Sequence, residues 1–244
     1  MEKMVTYSLP NVTDVGNIDR SSLTDYFQRA GSKRGLSVLY ADFFPFKEFK
    51  TVWTKRGGAL ELKVTDYMAG ARQDILEEFA DCICRRIICK RSDEIYTPVM
   101  KEWLQSQEFV ELNRSTYLQR SRNLAYTAKG IHYDLEEART RLLSEGLLPD
   151  IPDNYITWTK RPNLQRMGYC SVIMRVVAVS SALDSGEVPE FVSDYVLYHE
   201  LLHLNDGLKA LGSHHDAAFR TKERKYPRWK EAEVALRRIA SGRI

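Results

Sequence analysis

The 244-residue chain contains five histidines, and four of them fall between positions 199 and 215. Two belong to the run His199-Glu200-Leu201-Leu202-His203, an HExxH pattern. On an α-helix, residues i and i+4 lie on one face about one turn apart. The two imidazoles can therefore reach one tetrahedral zinc ion at about 2.0–2.1 Å. Glu200 follows the first ligand and need not bind the ion; it can reach a zinc-bound water instead and take its proton as a general base. A catalytic zinc also needs a third protein ligand and an open position. Asn205, Asp206 and Gly207 should end the helix, and Gly212 and Ser213 mark a second turn that brings His214 and His215 back toward it. Neighbouring residues on a helix point about 100° apart, so one of this pair is expected to bind the ion.

The elements that must position these groups follow from the periodicity. Phe191, Val192, Tyr195, Val196, Leu202 and Leu204 surround the motif with apolar surface, and Pro189 suits a first helical turn, which predicts a buried helix from 189 to about 205. Upstream, YITWTK (155–160) reads as a strand and 163–168 as a loop. CSVIMRVVAVSSAL (170–183) reads as one further strand, dense in β-branched residues from Val172 to Val179. Helices are expected again from near Ser213 and near Arg228. Pro149 and Pro152 separate this metal-site half, about 151–230, from a mostly helical segment, about 66–150. In that segment DILEEFADCICRRIICKR (74–91) repeats apolar residues at three- and four-residue steps. Further helices are expected over 94–106 and 115–125, and a helix over 135–146 is capped by Asp134 and stopped by Gly146. Nearer the start, a short helix from Ser21 or Ser22 to Arg29 precedes β-prone stretches at 36–46, 51–55 and 59–64. Residues 1–30 read as an irregular or helical arm and 31–244 as a single domain. The pentapeptides VWTKR (52–56) and TWTKR (157–161) each precede a β-like stretch and then a helix. A degenerate duplication and a coincidence explain this echo equally well.

Hydrophobic residues make up 43% and charged residues 28% of the chain, enough for a sizeable core without metal or disulfide staples. A chelator is therefore expected to stop activity before it unfolds the protein. The net charge of +3 allows nucleic-acid contact without arguing for it, and Arg85-Arg86, Lys222 with Arg224-Lys225, and Arg237-Arg238 read as solvated helix faces. No uncharged apolar run is long enough for a membrane span or a signal peptide, so the expectation is a cytoplasmic protein. The spacing of Cys82, Cys84 and Cys89 does not match a zinc ribbon; with Cys170 they read as reduced thiols.

With these motifs in place, the segment resembles the SprT-like zinc metallopeptidases and their YgjP-type relatives. That family's pattern is HExxH, a variable stretch, then a histidine followed four residues later by Phe or Trp, often with Arg next. His215, Asp216, Ala217, Ala218, Phe219 and Arg220 fit it, and His214, with Ala218 at the matching place, fits less well. The resemblance thus implies His199, His203 and His215 as ligands of Zn2+, with Phe219 packed behind the site and His214 as the alternative ligand. It also implies an α+β, zincin-like fold in which a small mixed sheet packs on the HExxH helix, and a peptide substrate bound in extended form beside the strand around Val172–Val179. The resemblance is good over 155–230, weaker over 36–145 and absent over 1–30. Asp216 stands where the family often has glycine, and the expectation is a protein without the cysteine-rich or DNA-binding tail of some members.

Beyond the ligands, Tyr169, Arg220 and Tyr226 are candidates to stabilise an oxyanion, and Asp194, Asp206, Asp216 and Glu223 to orient an imidazole; each also reads as a packing or surface residue. His132 stands apart from the motif. Two other classes compete with peptide hydrolysis. One is a binding protein with a structural zinc closed by a fourth ligand, for which His214 would serve. The other is a nucleic-acid-associated protein.

Overall fold

The computed structural model describes residues 20–89, 95–208 and 215–242, and contacts divide the chain into two compact units, Met1–Lys90 and Arg91–Ile244. The sequence reading of one domain over 31–244 places no boundary there. The boundary falls inside the expected helical segment of 66–150, so that segment is shared between the units.

In the first unit, helix α1 (Arg20–Ser32) is followed by strands β1 (Ser37–Phe44), β2 (Thr51–Arg56) and β3 (Ala59–Thr65), then helix α2 (Gln73–Ile88). The strands form a sheet of order β1-β3-β2, with β1 parallel and β2 antiparallel to β3. Alternation in β3 sends Leu60, Leu62 and Val64 into the core. The apolar face of α2 adds Ile75, Leu76, Phe79 and Ile83, and α1 packs on both β1 and α2. Cys82 and Cys84 are buried in the same helix as free thiols, and burial pushes the Cys84 thiol up to about 11.

The second unit begins with α3 (Pro98–Leu104) and α4 (Gln107–Arg120), capped by the side chains of Thr97 and Ser106. Gln105 caps the end of α3 and Ser106 the start of α4, so the helices expected over 94–106 and 115–125 are instead two consecutive ones. Then come α5 (Leu135–Ser144), β4 (Tyr155–Trp158), β5 (Gly168–Ser171), β6 (Val176–Val179), α6 (Glu190–Asp206), α7 (Ala217–Glu223) and α8 (Trp229–Ala240). Asp134 caps α5 through its side chain and Gly146 takes a positive φ of 69° just beyond its end, as its sequence predicts.

One strand expectation is overturned. The run 170–183 is not a single strand: β5 and β6 are antiparallel neighbours joined by a tight turn at 172–175, where Arg175 adopts a φ of 50°. β-branched density cannot reveal such a turn, because it contains no glycine or proline. Arg175 is secured there by donating to the Gln105 carbonyl and to Gln107 Oε1, at 2.9 and 2.7 Å. The sheet order is β4-β6-β5, so the fully buried β6 is central and β5 lies at the edge.

The two units share one topology. Each contains a helix–strand–strand–strand–helix segment, α1 to α2 and α5 to α6, with the third strand central, parallel to the first and antiparallel to the second. In each, the first helix packs on the first strand and on the second helix. The pentapeptide echo does not mark this repeat. VWTKR lies in β2, a second strand, whereas TWTKR begins in β4, a first strand. No histidine lies in the first unit, so α2, at the position that α6 takes in the second, carries no imidazole. The mixed helices and sheets make the fold α+β. No helix among the described residues is long and apolar enough to cross a membrane.

Candidate metal centre

Helix α6 is buried on nearly every side: among residues 192 to 204, all but His199 and His203 are buried. A helix apolar all round belongs in a core, so its few polar side chains must be satisfied or functional. Proline precedes its first turn as Pro189, and Gly207 terminates it with a φ of 69°. The rings of His199 and His203 project from one face, with centroids 4.9 Å apart.

The chain returns at His215. Its Nε2 lies 3.0 Å from Nε2 of both His199 and His203, and those two atoms are 3.2 Å apart. Three ligands at about 2.0–2.1 Å on a tetrahedron would be about 3.3 Å from one another. The three nitrogens therefore fit a single ion, and these three residues form the potential metal-binding cluster among the described residues. His214 and Ser213 lie outside the described residues. Asp216 caps α7 by accepting from the Phe219 amide at 2.8 Å. This cap sits one residue after His215 and fixes the start of α7 at Ala217. Phe219 is fully buried against all three imidazoles, stacked on His203 at 4.4 Å and edge-on to His199 and His215 at 5.1 Å.

Of the four carboxylates that could orient an imidazole, Glu223 meets one among the described residues. His199 Nδ1 lies 2.6 Å from Glu223 Oε1. Burial raises the Glu223 pKa, but hydrogen bonds from His199 and Tyr195 outweigh it and hold the carboxyl below its usual range. An ionised carboxylate only accepts, so Nδ1 carries the proton and the Nε2 lone pair is left for an ion. The phenol of Tyr195, itself pushed above its ordinary pKa by burial and by Glu223, completes a chain from the core to the metal site. The other three carboxylates have these partners: Asp194 pairs with Arg141 at 2.9 Å, Asp206 pairs with Lys222, and Asp216 caps α7. Glu223→Ala should weaken metal binding by about 10–100-fold, and Glu223→Gln by less because its amide oxygen still accepts. Competition against a chromophoric chelator measures this, and an unchanged affinity in the alanine variant would remove the orienting role.

Glu200 is 7% exposed and lines the same cavity as the histidines. Burial pushes its carboxyl up to about 7, against the opposing charges of His199 and Arg166. Strand β5 runs directly against it. A Cβ on Gly168 would sit 2.7 Å from Glu200 Oε1 and 2.8 Å from Val196 Cγ1, so only glycine lets the edge strand approach this closely. The cavity is about 810 Å³ and is walled by β5, α6 and α8. Tyr169 lines it, whereas Arg220 and Tyr226 do not. Arg220 donates to the His215 carbonyl at 3.3 Å, and the Tyr226 hydroxyl donates to the Phe191 carbonyl at 3.0 Å. His132 is also outside the cavity; its backbone amide, with those of Ile131 and Tyr133, donates to the Asp184 carboxylate. The sequence reading missed Arg166, Glu233 and Arg237 as lining residues, because nothing in their spacing ties α8 or the β5 loop to the motif. Comparisons with protein-family models, curated proteins and solved structures find no match for this chain.

Proposed function

We propose that this protein is a zinc-dependent metallopeptidase of the SprT-like or YgjP type, with a zincin-like second unit. The convergence of three Nε2 atoms within 3.2 Å of one another, beside a buried glutamate in an open cleft, carries this reading. Imidazole donors suit zinc among several first-row metals. His199, His203 and His215 would hold the ion, with Glu223 fixing the tautomer of His199. Once bound, zinc supplies Lewis acidity that brings the pKa of a water near neutrality and polarises a scissile carbonyl.

The protein's own groups do the rest. Glu200 accepts the water proton on a carboxylate oxygen and passes it to the leaving amine nitrogen. Its burial at the floor of the cleft limits the access of bulk water to that proton. The substrate lies along a different strand from the one expected. β6 (Val176–Val179) is flanked by β4 and β5, so the peptide aligns with the edge strand β5, which passes over Glu200 at Gly168. The three-imidazole cluster opening onto a cleft favours hydrolysis over a closed structural zinc site.

The test is hydrolysis of casein or a quenched fluorescent peptide by purified protein. We expect activity that a zinc chelator removes and zinc restores, with the far-ultraviolet circular dichroism spectrum retained throughout, because the second unit has its own core of apolar side chains. Zinc-loaded protein that cleaves neither substrate would refute the reading.

A further inference from the structure

The cleft beside the three histidines has two walls of different origin. One is β5 with the loop leading into it, and the other is a face of α8 carrying Glu233, Leu236 and Arg237. Most of the acidic side chains that line it are already committed. Glu223 is bonded to His199, Asp206 is paired with Lys222, and Glu200 is buried at the floor. That leaves Glu233 lining the cleft with two exposed guanidiniums, Arg166 and Arg237; neither forms an ion pair among the described residues, and the charge of Arg166 also acts on Glu200.

The loop that carries Arg166 is internally hydrogen-bonded. The backbone amide of Arg166 donates to Asn163 Oδ1 at 3.0 Å, and that of Gln165 does so at 2.9 Å. Asn163 is in turn clamped to the buried Ser180: its amide donates to Ser180 Oγ at 2.8 Å, and Ser180 Oγ donates to its carbonyl at 2.9 Å. The guanidinium carbon lies 4.9 Å from the centroid of the Tyr169 ring, which orients the fork without neutralising it. An arginine held over a ring at the mouth of a cleft offers a planar fork that matches a carboxylate with two parallel hydrogen bonds.

We propose that the cleft selects peptides carrying an aspartate or glutamate side chain close to the scissile bond, and that Arg166 is the residue that reads this carboxylate. Arg237 adds positive potential from the opposite wall. The proposal rests on the metallopeptidase reading, and two experiments keep their failures apart.

In the first, a proteome-derived peptide pool is digested with the zinc-loaded wild type and the cleavage sites are read by mass spectrometry. Asp and Glu should be enriched about fivefold within a few residues of the cut. The enrichment should be smaller in Arg166→Lys, which keeps the charge and loses the fork. In Arg166→Glu it should invert toward Lys and Arg. A flat wild-type profile, or one that Arg166→Glu leaves unchanged, would overturn the assignment. In the second, fluorescein-labelled octapeptides that differ only in a central Asp or Asn are titrated into the Glu200→Gln protein and followed by anisotropy. The Asp peptide should bind about fivefold more tightly, with the difference lost on adding Arg166→Ala and reduced by salt. Equal affinities would overturn the acidic preference even if no peptide is cleaved, whereas cleavage of neutral sequences alone would spare the metallopeptidase reading.

Discussion

Glu200→Gln should reduce peptide hydrolysis by about 10²–10⁴-fold while leaving the metal bound. It should also make the metal-free protein more stable at alkaline pH. Both effects come from one feature, a carboxyl buried to 7% exposure whose pKa rises from 4.5 to about 7. Burial disfavours the charged form, so the folded protein holds this proton more tightly than the unfolded chain does. The stability contributed by the neutral carboxyl is fully present below about pH 4.5 and is lost as pH rises through about 7. A shift of this size corresponds to about 3 kcal/mol above neutrality in the metal-free protein. Glutamine is nearly isosteric and never ionises, so it fits beside Gly168 without that penalty. We expect the variant's metal-free Tm to exceed that of the wild type at pH 8 and to equal it near pH 4. Zinc bound nearby would stabilise the charged form and shrink the difference. The substitution thus exchanges activity for stability, as expected when a catalytic group is held in an unfavourable environment. Metal content by elemental analysis, together with kcat, checks the first effect. A variant that still hydrolyses peptides at the wild-type rate removes Glu200 as the base.

The second large effect is expected at His215. Its alanine variant should lose metal affinity by more than the roughly 10–100-fold typical of an orienting partner, because a direct donor disappears. His215 is exposed, so its removal should cost little folding stability, and the fully buried Phe219 still supports the remaining imidazoles. Loss of metal with a retained Tm would therefore report on coordination alone. His214→Ala should keep one equivalent of zinc, because the nitrogens of His199, His203 and His215 already lie within 3.2 Å of one another. Metal retained at wild-type affinity in His215→Ala, and lost in His214→Ala, would reverse the assignment.

The amino-acid sequence alone determined the local part of this site. His199 and His203 share a helix face because four residues make about one turn, and that follows from backbone geometry wherever the helix is placed. The burial of α6, its end at Gly207 and the caps and stops of α5 were likewise legible, because each depends on neighbours in the chain. The partners of these groups depended on tertiary structure. Four carboxylates near the motif looked alike, and only packing brought Glu223 to His199 while Asp194 and Asp206 found cationic partners. The turn between β5 and β6 was hidden because residues at 172–175 carry no turn signal, and so was the fact that β5 rather than β6 lies at the sheet edge. The common topology of the two units was hidden for the same reason, since strand order is a property of long-range pairing. Arg166 joined the cleft because a hydrogen bond between Asn163 and Ser180, 17 residues apart, fixes its loop. Contacts of that range are decided by which surfaces meet once the core closes, and no local pattern of residue types records them.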